Sequence, residues 1–203
     1  MRRRIGILIL GVLLSCGGLA QATNIDFNSV NPVGTIQAGD NYDQVTLHDS
    51  AVVTMTGGSA YTVWSYDSST FQMQSGNVTG WIGVSNSSSV TLSGGLLKDL
   101  ELRDSGIATI LGGNITGSLG IFGTAAVAHI YGKNFGATPN GAGWLITGDW
   151  ADNSPFTIFY RAPLYAPPPS SSGPYVFLHT IPEPATLFLF GFGMIFARRK
   201  SSK

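Results

Sequence analysis

Cysteine, histidine and charge are all scarce in this chain of 203 residues, and each scarcity narrows what it can be. Cys16 is the single cysteine, so no disulfide can form within one chain. If the leader described below is cut away, thiol catalysis is excluded as well. The three histidines, His48, His129 and His179, have no histidine or cysteine at metal-ligand spacing; they read as surface residues, and no metal is expected. Charged residues make up only 11% of the chain. Between positions 23 and 182 the only cations are Lys98, Arg103, Lys133 and Arg161, outnumbered by carboxylates, and such an anionic body does not suit nucleic acid. There is no G-x-S-x-G elbow, phosphate loop or calcium-binding nonapeptide, so nothing in the sequence requires a cofactor.

What is plentiful is glycine, 27 residues, together with serine, threonine and asparagine. That composition favours regular β-structure with many tight turns and excludes a helix bundle. A repeat explains it. Gly58, Gly76, Gly95, Gly113 and Lys133 fall at one equivalent position from unit to unit, and an earlier partial unit ends at Gly39. A period just under 20 is the signature of a solenoid.

Within each unit apolar residues alternate, as in strands with one face inward. A first side offers Val45 and Leu47, then Val63 and Ser65, Ile82 and Val84, Leu100 and Leu102, Gly120 and Phe122. A second offers Val53 and Met55, Phe71 and Met73, Val90 and Leu92, Ala108 and Ile110, Ala128 and Ile130. A third, shorter side offers Ala60, Val78, Leu97, Ile115 and Phe135. Three inward columns predict an all-β, three-sided, single-stranded β-helix of about five coils, each of roughly 18–20 residues. Right-handed winding is expected, because the strict hexapeptide pattern of left-handed helices is absent. One corner repeats as Asp49-Ser50, Asp67-Ser68, Asn86-Ser87 and Asp104-Ser105, where short side chains cap backbone amides and tolerate unusual dihedrals. Another repeats as Gly57-Gly58, Gly94-Gly95 and Gly112-Gly113.

The chain divides accordingly into a leader over 1–22, a solenoid over 23–136, a β cap over 137–161, a Pro/Ser-rich spacer with a last strand over 162–180, and a tail over 181–203. In the cap, Trp144 to Thr147 and Phe156 to Tyr160 read as strands that cover the solenoid's end with Trp144, Trp150 and Phe156. Pro167-Pro168-Pro169 marks a stiff spacer expected to hold the rod away from a membrane.

The ends differ from the middle. Arg2, Arg3 and Arg4, an apolar run from Ile5 to Leu14, and Ala20-Gln21-Ala22 have the layout of a signal peptide cut after Ala22. Lipidation at Cys16 is the alternative, because Leu13-Leu14-Ser15-Cys16 loosely resembles a lipoprotein box. At the other end stand Pro182-Glu183-Pro184, an apolar segment from Ala185 to Ala197 expected to be helical, and Arg198-Arg199-Lys200. This order resembles the C-terminal tails of PEP-CTERM proteins. The resemblance implies a sorting signal formed by Pro182, Glu183, Pro184, Arg198, Arg199 and Lys200. It also implies export across the cytoplasmic membrane, transient residence in that membrane, and cutting near the Pro-Glu-Pro signature by an exosortase-type membrane protease. The body would then lie at the cell surface or outside it, and the basic cluster after an apolar segment agrees, since it is held on the cytoplasmic side.

In the body, residues one coil apart are neighbours, so His48, Tyr66, Ser85 and Arg103 form an outward column beside Asp49, Asp67 and Asp104, with Trp64 and Glu101 two positions earlier. His48, Asp49, Tyr66, Asp67, Arg103 and Asp104 are therefore the candidate surface ligand columns. The expected protein is a structural or adhesive one without catalysis, associated with exopolysaccharide. The alternative is a small glycosidase or lyase using the stacked aspartates, whose coil spacing is near that of paired carboxylates in retaining glycosidases.

Overall fold

A computed structural model describes residues 23–161, 168–170 and 175–182. The predicted leader, the expected apolar helix of the tail and most of the Pro/Ser-rich segment lie outside the described residues. The described chain is all strand and turn, without helix: β1 (Thr23–Phe27), β2 (Val33–Ile36), β3 (Asn41–Leu47), β4 (Val52–Ser65), β5 (Thr70–Val84), β6 (Ser89–Leu102), β7 (Ile107–Ile115), β8 (Ser118–Ile121), β9 (Val127–Asn140), β10 (Gly143–Asp149), β11 (Pro155–Arg161) and β12 (Val176–Thr180).

Parallel pairing between successive units builds a β-solenoid of about six turns, one more than the repeat count predicts. The first side stacks β1, β3 and the ends of β4, β5 and β6, then β8 and β11. The second stacks β2, the starts of β4, β5, β6 and β7, then β9 and β12. Ser59, Asn77, Leu96 and Asn114 follow one another on the short third side. At one strand spacing per coil the rod is roughly 29 Å long.

The predicted columns fill the core: Val45, Leu47, Val53, Met55, Phe71, Met73, Ile82, Val84, Leu100, Leu102 and Ile110 are all buried. The last coil departs from the prediction. Leu119 pairs with Leu100 and Ile121 with Leu102, so these two point inward, while Phe122 is 53% exposed. Leu119 follows Leu100 by the same 19-residue step that separates Val63 from Ile82, and the coil's extra residue falls after β8, between Ile121 and Val127; a strand read one residue out has its faces exchanged. Phe135 on the third side is only partly buried.

The corners hold residues in the left-handed region. Gly58, Gly95 and Gly113 have φ of 71°, 87° and 91°, and Asp49, Asp67, Asn86 and Asp104 lie at 52° to 59°. Such a conformation costs most side chains about 1–2 kcal/mol and is easiest for Gly, Asn and Asp. In the final unit the corner is filled by Asn134, at φ 54°, and not by Lys133 as the spacing suggested. Asn is the better occupant, and Lys133 instead turns its ammonium to Oδ1 of Asn153, 2.5 Å away.

From Ala137 the chain reverses. β10 runs antiparallel between the end of β9 and β11 and closes the rod's end, with Trp150 and Phe156 buried and their rings 4.0 Å apart. Beyond the proline-rich segment the chain returns to the rod, because β12 pairs with β9 from Val176 opposite Ala128 to Thr180 opposite Gly132. At the opposite end of the rod the outer edges of β1 and β2 pair with no other described strand.

Candidate functional site

Two arrays share the corner that follows the first side. The first is a carboxylate ladder. Asp49 Oδ2 accepts the amide of Ser29 at 3.0 Å, Asp67 Oδ2 that of Asp49 at 3.1 Å, and Asp104 Oδ2 that of Asn86 at 3.2 Å. Asn86 Nδ2 donates to Asp67 Oδ1 at 3.1 Å. Each of the three aspartates thus caps an amide of the preceding coil, where the sequence suggested local capping, while Asn86 bonds the Asp67 side chain instead. Accepted hydrogen bonds from Ser29 hold the Asp49 carboxyl below its ordinary pKa, because they favour the charged form.

The second array is aromatic. His48 and Tyr66 stack with ring centres 5.2 Å apart, Trp64 lies parallel to Tyr66 at 5.9 Å, and Trp81 meets Trp64 and Tyr61 edge-on at 6.0 and 5.8 Å. Gly83 makes room for it: a Cβ there would come within 2.2 Å of Trp64 Cζ3, so the indole crosses the next coil unobstructed. It reaches as far as Arg103, whose guanidinium carbon is 5.8 Å from the indole centre and 6.0 Å from that of Phe122. Arg161 also approaches the Phe122 ring, at 5.9 Å. Arg103 Nη2 also donates to Glu101 Oε2 at 2.9 Å, and Glu101, Arg103, Asp104 and Phe122 line a groove of about 430 Å³.

Of the predicted columns, His48, Tyr66 and Arg103 are thus joined through Trp64, while Asp49, Asp67 and Asp104 form the neighbouring ladder. Ser85 drops out of its predicted outward place: it is buried, and its amide donates to Ser88 Oγ at 3.1 Å. Trp81, Tyr61 and Phe122 join the row without having been foreseen as members. The glycines at 83 and 120, over which neighbouring rings lie, were the available sequence signal. Row and ladder together offer ring faces next to hydrogen-bonding side chains. Such a combination is chemically able to take a ligand with apolar C–H faces and hydroxyl edges.

A second pairing contradicts the reading of His129 and His179 as isolated. β12 brings His179 beside His129, with Nδ1 of His129 2.9 Å from Nε2 of His179. A larger groove, about 760 Å³, lies between the glycine corner and the cap, but its carboxylate, Asp152, is tied to the amide and hydroxyl of Ser154.

A solenoid whose last strand runs straight into a Pro-Glu-Pro segment defines the molecule as a repetitive β-body carrying a C-terminal address. The address is a PEP-CTERM protein-sorting motif, whose family description matches residues 180–201. The match spans all six predicted signal residues. Pro182 is described and exposed, whereas Glu183, Pro184, Arg198, Arg199 and Lys200 lie outside the described residues. The motif implies an exported protein sorted at the membrane to the cell surface by an exosortase. No curated protein and no solved structure matches the chain.

Proposed function

We propose that this is a non-catalytic surface or matrix protein whose solenoid adheres to exopolysaccharide through the row from His48 to Phe122. The observation that carries the reading is the length of that row, which crosses several coils on one side of the rod. Pyranose rings offer apolar C–H faces to aromatic rings, and a polymer can follow such a strip along the rod axis. The carboxylates beside it already accept backbone amides, which suits a structural corner better than a glycosidase or lyase. Before release the tail serves as a transient anchor: 13 residues from Ala185 to Ala197 could span only about 20 Å as a helix, against a ~30 Å hydrocarbon core.

The test is co-sedimentation of the surface-extracted protein with the exported polysaccharide of its own producer, with polymer length followed by size-exclusion chromatography. Binding without shortening is expected, with at least about tenfold weaker binding for Trp64→Ala. Shortening that vanishes in Asp67→Asn or Asp104→Asn would instead establish the enzyme.

A further inference from the structure

The body's last strand is held where one imidazole meets another. A hydrogen bond between two imidazoles needs an N–H and a lone pair, so the 2.9 Å contact of His129 with His179 requires at least one neutral ring. The surroundings are aromatic: Tyr131 stacks on His179 at 4.4 Å and Phe177 on His129 at 5.1 Å. Burial, and then the charge of His179, push the pKa of His129 below its ordinary value.

Counter-charge is missing among the described neighbours. β7 and residues 168–170 carry no ionisable side chain, and β12 carries only His179, with Tyr175 just before it. Beyond His129, β9 adds Tyr131 and Lys133, whose ammonium is bonded to Asn153, and the Asp149 carboxylate on β10 accepts from Asn134 Nδ2.

We propose that the His129–His179 pair is an acid-released clasp tying the last coil, and with it the start of the sorting signal, to the solenoid. The matched motif begins at Thr180, the last residue of β12, and the amide of Ile181 still donates to the Gly132 carbonyl at 2.9 Å. While β12 is docked, Pro182 follows directly on a paired strand, leaving little extended chain ahead of the signature for a protease cleft. With both rings protonated, two like charges meet without a counter-ion among the described residues, and undocking of β12 would add its five residues to the chain ahead of the signature.

The direction follows from linkage. An undocked histidine titrates near 6.5, whereas docked His129 titrates lower, so docking is fully supported above about 6.5 and weakens as pH falls below it. The consequence for sorting rests on the exosortase reading. The clasp itself does not.

Hydrogen exchange of the full chain in detergent, at pH 8 and pH 5, tests it, with rates corrected for chemical exchange and referred to β5 peptides. The peptide covering 176–181 should lose protection relative to β5 on going from pH 8 to pH 5, in the direction that the lowered pKa of docked His129 sets. His179→Gln and the double variant His129→Gln/His179→Gln can still hydrogen-bond but remove chargeable rings, and should flatten that pH response. Equal relative protection at both pH values in the wild type, or unchanged acid sensitivity in the double variant, would overturn the clasp. Where the double variant does not dock at all, His179→Gln decides by the same criterion. Acid opening of β12 without any pH response of processing by co-reconstituted exosortase would overturn only the link to sorting.

Discussion

Tyr160 is the side chain that fits its surroundings least well. It is almost wholly buried at the capped end, and its hydroxyl has no hydrogen-bond partner among the described residues. Burial, and to a smaller extent Tyr175, push its pKa up to about 12, because the phenolate cannot be solvated there. An unsatisfied buried hydroxyl costs on the order of 1–3 kcal/mol, so Tyr160→Phe should leave the melting temperature unchanged or raise it by a few degrees. The pH dependence has a definite sign. A folded pKa above the unfolded value leaves stability intact below pH 10 and erodes it from there to about 12, and Tyr160→Phe should blunt that loss in alkaline melting curves. A phenylalanine variant that melts well below the wild type would show that the hydroxyl has a partner after all.

At the scale of single strands, the last coil shows how much rests on alternation. Leu119 and Ile121 are inside and Phe122 is outside, against Arg103 and Arg161. Leu119→Ala should therefore cost about 2–5 kcal/mol in urea unfolding, while Phe122→Ala should cost under about 1 kcal/mol and impair ligand binding instead. The reverse order would restore the register read from sequence. Most of the solenoid was legible because period, alternation and corner chemistry agree over the units from Val45 to Leu102. The slip at Leu119 was not, because Gly120 and Phe122 match the same pattern one residue away, and only pairing with Leu100 distinguishes them. The site was legible to the extent that its members share a column: His48, Tyr66 and Arg103 do, whereas Trp81 and Tyr61 enter it through side-chain direction. The His129–His179 contact joins residues 50 positions apart across a proline-rich connection, so no local spacing could reveal it.

The two ends of the rod face different problems. At the far end, the edges of β1 and β2, unpaired among the described residues, invite pairing with other chains, and exposed Asp26 on β1 opposes it by placing a charge on the edge. No cation precedes Lys98 in the described body, whereas Asp26, Asp40, Asp43, Asp49 and Asp67 do, so this half of the rod carries net negative charge. The capped end carries the address, with Pro182 two residues beyond β12, so processing there would separate the folded body from its tail almost flush with the last coil. The mature protein is then expected to begin near Thr23 and end near Pro182 to Pro184, a body of roughly 160 residues. Replacing Arg198, Arg199 and Lys200 with neutral residues should raise the unprocessed fraction, because those charges fix the tail's orientation and the 13 apolar residues from Ala185 to Ala197 are too few to hold it by themselves. Intact mass of protein recovered from the cell surface and the medium decides between the alternatives: loss of both termini from the wild type, with full-length precursor accumulating in the neutralised variant, is the expected pattern. Wild-type surface protein still ending at Lys203 would mean that the tail is a permanent anchor.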